Sequence, residues 1–414
     1  MAKVNSNYGK LADSYLFAEI AKRAATFTRD NPNATIYKLG IGDTTEAITP
    51  HVLEGLRRGV EKLGDVRTYS GYGNEQGNKA LREAIAVFYT QRGVCLDSSE
   101  IFVSDGAKTD SANIQSIFSQ DSVVAVQDPA YPVYVDSNVA SGRTGEFNKE
   151  RGQYDDLVYM PCNSENDFVP QIPSNLSGRK FPDLIYLCSP NNPTGAVMSR
   201  KSLEEFVGAA RENKSIIIFD AAYSWYINDQ NLPQSIYEIA GAKECAIEIN
   251  SFSKIAGFTG VRLGWAVVPK QAVTEDSEAG TLNRMWNRRQ TTFFNGASNI
   301  AQDGGLEAFS PKGKEECSGL VNCYMNNAKM IRQGLELLNI KVFGGDNAPY
   351  LWMQNPNGIG SWEFFDKMLR ETHVVTTPGV GFGPSGQGFT RLSSFGHRQD
   401  IEKAVTSIVH NLKI

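Results

Sequence analysis

The sequence predicts an α/β protein: a large unit on a mostly parallel central sheet, joined to a smaller α+β unit. Three observations predict it. Residues 100–103, 122–126, 183–187, 215–219 and 246–249 are short, mostly apolar runs, the pattern of strands covered on both faces. Amphipathic stretches lie between several of them; over residues 202–212, Leu203, Phe206, Val207 and Ala210 share one helical face, which makes strand-helix-strand units. From about Asn299 the pattern changes to long helices, then a strand-like 350–353 and a helix over 361–371. The large unit is expected over 45–295 and the small one over 296–414. Residues 1–44, helical over 15–28, form an N-terminal arm that joins the small unit.

Bulk properties narrow the partners. With 414 residues the chain is too long for one simple core. A net charge of −5 without a Lys/Arg run gives no footprint for nucleic acid, which leaves small metabolites. Cys95, Cys162, Cys188, Cys245, Cys317 and Cys323 are scattered without Cys-x-x-Cys pairs, the usage of reduced thiols, with no metal expected. No apolar stretch approaches the roughly 20 residues that span a bilayer, and the N-terminus is polar. The expectation is a soluble chain, cytoplasmic, or in the plastid stroma if a transit peptide has been removed.

The densest chemistry comes directly after the run at 246–249, where the chain reads Asn250-Ser-Phe-Ser-Lys-Ile-Ala-Gly-Phe-Thr-Gly-Val-Arg-Leu-Gly-Trp265. Ser251, Ser253 and Arg262 can bind a phosphate through two hydroxyls and a guanidinium, with Lys254 beside them to attack an aldehyde. An isolated Ser-x-Ser-Lys is usually a solvated surface lysine. Here Arg262 and the glycines Gly257, Gly260 and Gly264, which let backbone approach a ligand, argue for a site.

Asp220 ends the run Ile216-Ile217-Ile218-Phe219, where open α/β sheets present ligand-binding groups. A carboxylate there would keep a pyridinium nitrogen protonated, and Tyr223 could donate to the ring's phenolate oxygen. Alone, such an aspartate is as often a cap or turn former. Ser189-Pro-Asn-Asn-Pro-Thr-Gly195 is a rigid loop displaying Asn192. In Ser104-Asp-Gly-Ala-Lys-Thr109 the amides of Ala107 and Lys108 open a helix and can meet a phosphate. Tyr131, within Asp128-Pro-Ala-Tyr-Pro132, could stack on a ring. Arg391, among apolar residues of the strand-like segment 388–394, needs an anion: a structural carboxylate, or the α-carboxylate of a substrate.

Taken together, Asn192 with Pro193-Thr-Gly195, Asp220 with Tyr223, Ser251-Phe-Ser-Lys254, Arg262 and Arg391 resemble the class I/II, fold-type I aminotransferases that depend on pyridoxal 5′-phosphate. More narrowly, the chain resembles the LL-diaminopimelate aminotransferases over nearly its whole length. Tyr69-Ser-Gly-Tyr-Gly-Asn-Glu-Gln-Gly77, Asp105-Gly-Ala-Lys108, Ala256-Gly-Phe-Thr-Gly260 and Phe294-Asn-Gly-Ala-Ser298 are the most specific matches. Ala47 and Thr109 depart from it, where proline and cysteine are expected.

The resemblance implies roles. Lys254 would carry the cofactor as a Schiff base and, once freed, move the proton from the substrate Cα. Asp220 and Tyr223 would tune the ring. Tyr72, Ala107, Lys108, Tyr131, Asn192, Ser251, Ser253 and Arg262 would complete the cofactor site, with Tyr72 supplied by the neighbouring chain of a homodimer. Tyr15, Gly42, Glu75, Lys108, Tyr131, Asn192, Asn295 and Arg391 would contact substrate, Glu75 again from the neighbour. The implied reaction takes LL-2,6-diaminopimelate and 2-oxoglutarate to glutamate and tetrahydrodipicolinate, in lysine biosynthesis. A broad-specificity aminotransferase or a carbon-sulfur β-lyase on the same fold would keep every cofactor residue. A nonenzymatic regulator with an aminotransferase-like domain is the remaining alternative; a degenerate relative of that kind would be expected to have lost Lys254.

Overall fold

The protein is described by a computed structural model covering residues 1–11, 16–174, 176 and 178–414. All five apolar runs become strands of one seven-stranded sheet. Its order is Ile101–Ser104, Gly264–Val267, Ala246–Ser251, Ile216–Asp220, Leu184–Cys188, Val124–Asp128 and Leu157–Pro161. Gly264–Val267 is antiparallel to both neighbours, and the strands from Ala246–Ser251 to Leu157–Pro161 pair in parallel. The continuous hydrophobicity reflects burial on both faces. Ile217 and Phe219 enter one core cluster, Ile216 and Ile218 the other, and each such side chain contributes about 2 kcal/mol by leaving water. Ala297, Ala301, Ala308, Phe309 and Cys317 also pack into the first cluster.

The expected helix at 202–212 is Arg200–Asn213. Ser199 caps it by accepting from the Ser202 amide, and Leu203, Phe206, Val207 and Ala210 are its buried face. The C-terminal region has an antiparallel sheet of Val342–Gly344, Tyr350–Gln354, Phe389–Ser393 and Thr377–Pro378. Arg391 sits at its centre, opposite Trp352 on one side and Thr377 on the other. The helix at 361–371 is Ser361–Thr372. Near the N-terminus, helix Leu16–Asp30 lies along it: Ile20 packs with Phe365 and Leu369, and Arg23 reaches Asp366 at 2.7 Å. Tyr37–Lys38 then pairs in parallel with Val374–Val375. No helix among the described residues is long and apolar enough to cross a membrane.

The large sheet ends its parallel strands on one edge, and register aligns their last residues. Gly264 lies opposite Ser104 on one side and Ser251 on the other; Asp220 lies between Cys188 and Ile249. The loops leaving Ser104, Asp128, Cys188, Asp220 and Ser251 therefore open toward a common crevice, as carboxyl-edge loops of open α/β sheets do.

Candidate active site

That crevice is a cleft of about 480 Å³, closed from the other side by Gly42, Asp43, Tyr350 and Arg391. One end is built for an anion. Helix Ala107–Asn113 starts there, and the backbone is packed so closely that side chains are excluded from it. A Cβ on Gly106, whose φ is +137°, would stand 2.4 Å from Arg262 Nη2; one on Gly264 would stand 3.0 Å from the Ala107 amide nitrogen. Arg262 Nη1 donates to Ser253 Oγ at 3.3 Å, and the Ser253 amide donates to Ser251 Oγ at 3.0 Å. Two hydroxyls, a guanidinium and a helix-opening amide thus share one corner, with donors enough for a phosphate.

Lys254 lines the same cleft. Its Nζ donates to the Gly42 carbonyl and lies 5.1 Å over the Phe395 ring. Burial pushes this amine down to about 8; Asp43 opposes the shift, while Arg391 and Arg262 add to it. A neutral, nucleophilic amine is therefore accessible near neutral pH.

Asp220, also in the cleft wall and only 7% exposed, accepts from Tyr134 OH at 2.6 Å on Oδ2 and from the Ala222 amide at 3.0 Å on Oδ1. Burial raises its carboxyl above the usual range; the Tyr134 bond works against that. A cationic ring nitrogen would balance the charge of this carboxylate. Tyr223 OH shares a 2.8 Å hydrogen bond with Tyr350 OH.

Arg391 lines the cleft at 1% exposure. It donates to Asn192 Oδ1 and to the Gly40 carbonyl, both at 2.7 Å, and its face lies 4.5 Å from the Tyr350 ring centroid. Nε has no hydrogen-bond partner, and none of the ion pairs among the described residues involves this guanidinium. Because Asn192 Oδ1 is engaged, its amide nitrogen is the side left to donate. Tyr131 sits at the cleft wall, edge-on to Tyr134 at 5.9 Å, with Lys108 Nζ 5.9 Å from its ring.

The cleft thus gathers Gly42, Ala107, Lys108, Tyr131, Asn192, Asp220, Tyr223, Ser251, Ser253, Lys254, Arg262 and Arg391. Three sequence candidates stand elsewhere on the chain. Tyr72 is 88% exposed, Glu75 half-buried and Asn295 exposed. The last two loops touch, since a Cβ on Gly296 would meet Asn74 O at 3.1 Å. Tyr15 lies outside the described residues. Sequence reasoning missed Asp43, Tyr134 and Tyr350. Tyr134, three residues after Tyr131, is open to a helical-face argument; Tyr350 reads simply as a strand residue.

A phosphate corner, a buried carboxylate and a nucleophilic amine in one cleft fit pyridoxal phosphate: the corner suits its phosphate, Asp220 its ring nitrogen, Lys254 its aldehyde. Fold and site define a transaminating enzyme of the α/β type, and the family model "Aminotransferase class I and II" matches residues 34–408. The chain belongs to that family. It is similar to the LL-diaminopimelate aminotransferase of Bacteroides fragilis (strain YCH46), 49% identical over 415 residues and 100% of both chains. It is likewise similar to the one from Parabacteroides distasonis, 48% identical over 99% of each. Among solved structures, L,L-diaminopimelate aminotransferase from Chlamydomonas reinhardtii superposes with a TM-score of 0.91 at 47% identity, over 98% of both chains.

Proposed function

We propose that the chain transfers an amino group from LL-2,6-diaminopimelate to 2-oxoglutarate, giving glutamate and a product that cyclises to tetrahydrodipicolinate, in lysine biosynthesis. Near-half identity along the full length to relatives named for this reaction supports the substrate. The structural observation that carries it is Arg391: a buried guanidinium that donates to an amide oxygen and a backbone carbonyl rather than to a carboxylate, in the same cleft as Lys254. An α-carboxylate supplies the missing anion.

Pyridoxal phosphate, when bound, supplies the electron sink that lets a substrate Cα release its proton. Ala107, Ser251, Ser253 and Arg262 would hold the phosphate and Asp220 the protonated ring nitrogen. Lys254 Nζ, held near Gly42 and depressed to about 8 by burial, is the base for the Cα proton. Arg391 orients the reacting end of the substrate and Asn192 adds a donor.

The same reading makes the protein a homodimer with shared sites, in which Tyr72 and Glu75 serve the partner's cleft and Asn295 contacts substrate. Support comes from exposure: Val60, Leu63, Val66, Tyr69 and Phe293 are exposed apolar side chains near Tyr72 in sequence or beside Asn295. The three-part division at 44/45 and 295/296 also belongs to this reading. Borohydride reduction followed by peptide mapping tests it, with label expected on Lys254 and absent from Lys254→Ala. Mixed and refolded with Tyr72→Phe, that inactive variant should regain part of the activity. Label on another lysine contradicts the cofactor assignment; formed heterodimers that stay inactive contradict the shared site.

A further inference from the structure

Tyr350 has a side chain placed to act on Tyr223. It opens strand Tyr350–Gln354 and is 1% exposed. Three contacts define it. Its hydroxyl is 2.8 Å from Tyr223 OH. A Cβ on Gly42 would stand 2.7 Å from that hydroxyl, so backbone without a side chain confines it. Its ring lies 4.5 Å from the guanidinium carbon of Arg391.

Two phenols sharing one hydrogen bond leave one proton for a third group, and the direction decides whose. Burial holds Tyr223 well above the ordinary range and raises Tyr350 too, so both carry their protons. A guanidinium over a phenol ring draws electron density from its O–H and makes that phenol the better donor. Arg391 contacts Tyr350 in this way, and lies over no other tyrosine among the described residues.

We propose that Tyr350 is a positioning residue of the active site: its hydroxyl donates to Tyr223, which leaves the Tyr223 proton to be donated to the ring oxygen of the bound cofactor. A hydroxyl that accepts a hydrogen bond also donates a stronger one. Tyr350 thus both orients and strengthens the bond from Tyr223. The inference rests on the reading that Tyr223 meets the ring oxygen.

The test uses the holoenzyme and its colour. The pH at which the bound cofactor changes absorbance reports the proton on the nitrogen linking it to Lys254, and a weaker bond to the ring oxygen moves that transition upward. Tyr223→Phe should move it furthest. Tyr350→Phe should move it the same way by about half a pH unit, and add nothing in a Tyr223→Phe background. Gly42→Ala, which crowds the Tyr350 hydroxyl, should act likewise and carries the test if Tyr350→Phe does not fold. An unmoved transition in Tyr350→Phe, or a shift that persists without the Tyr223 hydroxyl, overturns the inference alone. A transition unmoved by Tyr223→Phe overturns it together with the reading on which it rests.

Discussion

Two buried carboxylates, on neighbouring strands of the large sheet, are held in nearly the same way and differ in what can reach them. Asp220 accepts from Tyr134 OH at 2.6 Å and one backbone amide at 3.0 Å. Glu248, fully buried in strand Ala246–Ser251, accepts from Tyr89 OH at 2.5 Å, from Ser235 Oγ at 2.6 Å and from the Ile236 amide at 3.1 Å. The difference is position along the strand. Asp220 ends its strand and opens on the cleft, with accepting capacity left for a cation. Glu248 sits mid-strand with three donors and stays inside the protein. A perturbed carboxylate marks a functional group only where something can reach it.

The largest effect should come from Asp220→Ala: turnover falls about 10³-fold, while cofactor held by its phosphate is retained. Single-turnover Cα deprotonation measures this, and a near-parental rate would make Asp220 a turn residue like any other.

For Glu248 the effect belongs to stability. Burial raises its carboxyl from 4.5 to about 7, so the folded chain favours the protonated form. That contribution is fully present below pH 4.5 and is lost as pH rises through 7. Relative to Glu248→Gln, the parent should lose about 3 kcal/mol between those limits. Urea unfolding across the window measures it; a constant difference between the two proteins would show that Glu248 stays ionised throughout.

The smallest effects separate the two tyrosines. Tyr134→Phe should lower kcat about tenfold by removing a bond to Asp220, whereas Tyr89→Phe should cost about 1 to 3 kcal/mol of stability and leave kcat alone. Equal effects of both on kcat would erase the distinction between the carboxylates.

The same geometry decides how much is legible in the sequence. Ile216 to Phe219 read as a strand because both faces are buried, and Asp220 stands out as the first polar residue after it. Lys254, Asn192 and Arg391 are legible for a similar reason: each sits in or directly after a strand-like run. Strand Gly264–Val267 escapes because it begins at a glycine and comes after Gly257 and Gly260, which read as loop. Tyr134 and Tyr350 escape because an aromatic among Val133, Val135 and Leu351 looks like core; only the fold shows their hydroxyls turned toward Asp220 and Tyr223. Tyr72 and Asn295 show the opposite limit. Their motifs are specific, yet a single chain leaves both in solvent.

Selective transamination of LL-diaminopimelate is tested most directly by kcat/KM for the LL and meso isomers, lysine and aspartate. On the proposed reading, Arg391 would fix the reacting carboxylate. The distal carboxylate and ammonium would then fall to Lys108, Asn295 and to Glu75 of the neighbouring chain, and inverting that centre would orphan polar groups that the bound substrate covers, at about 1 to 3 kcal/mol each. The prediction is a preference for the LL isomer of about 10²-fold or more, reduced in Glu75→Ala. Efficient use of the meso isomer or of aspartate by the parent protein would contradict it.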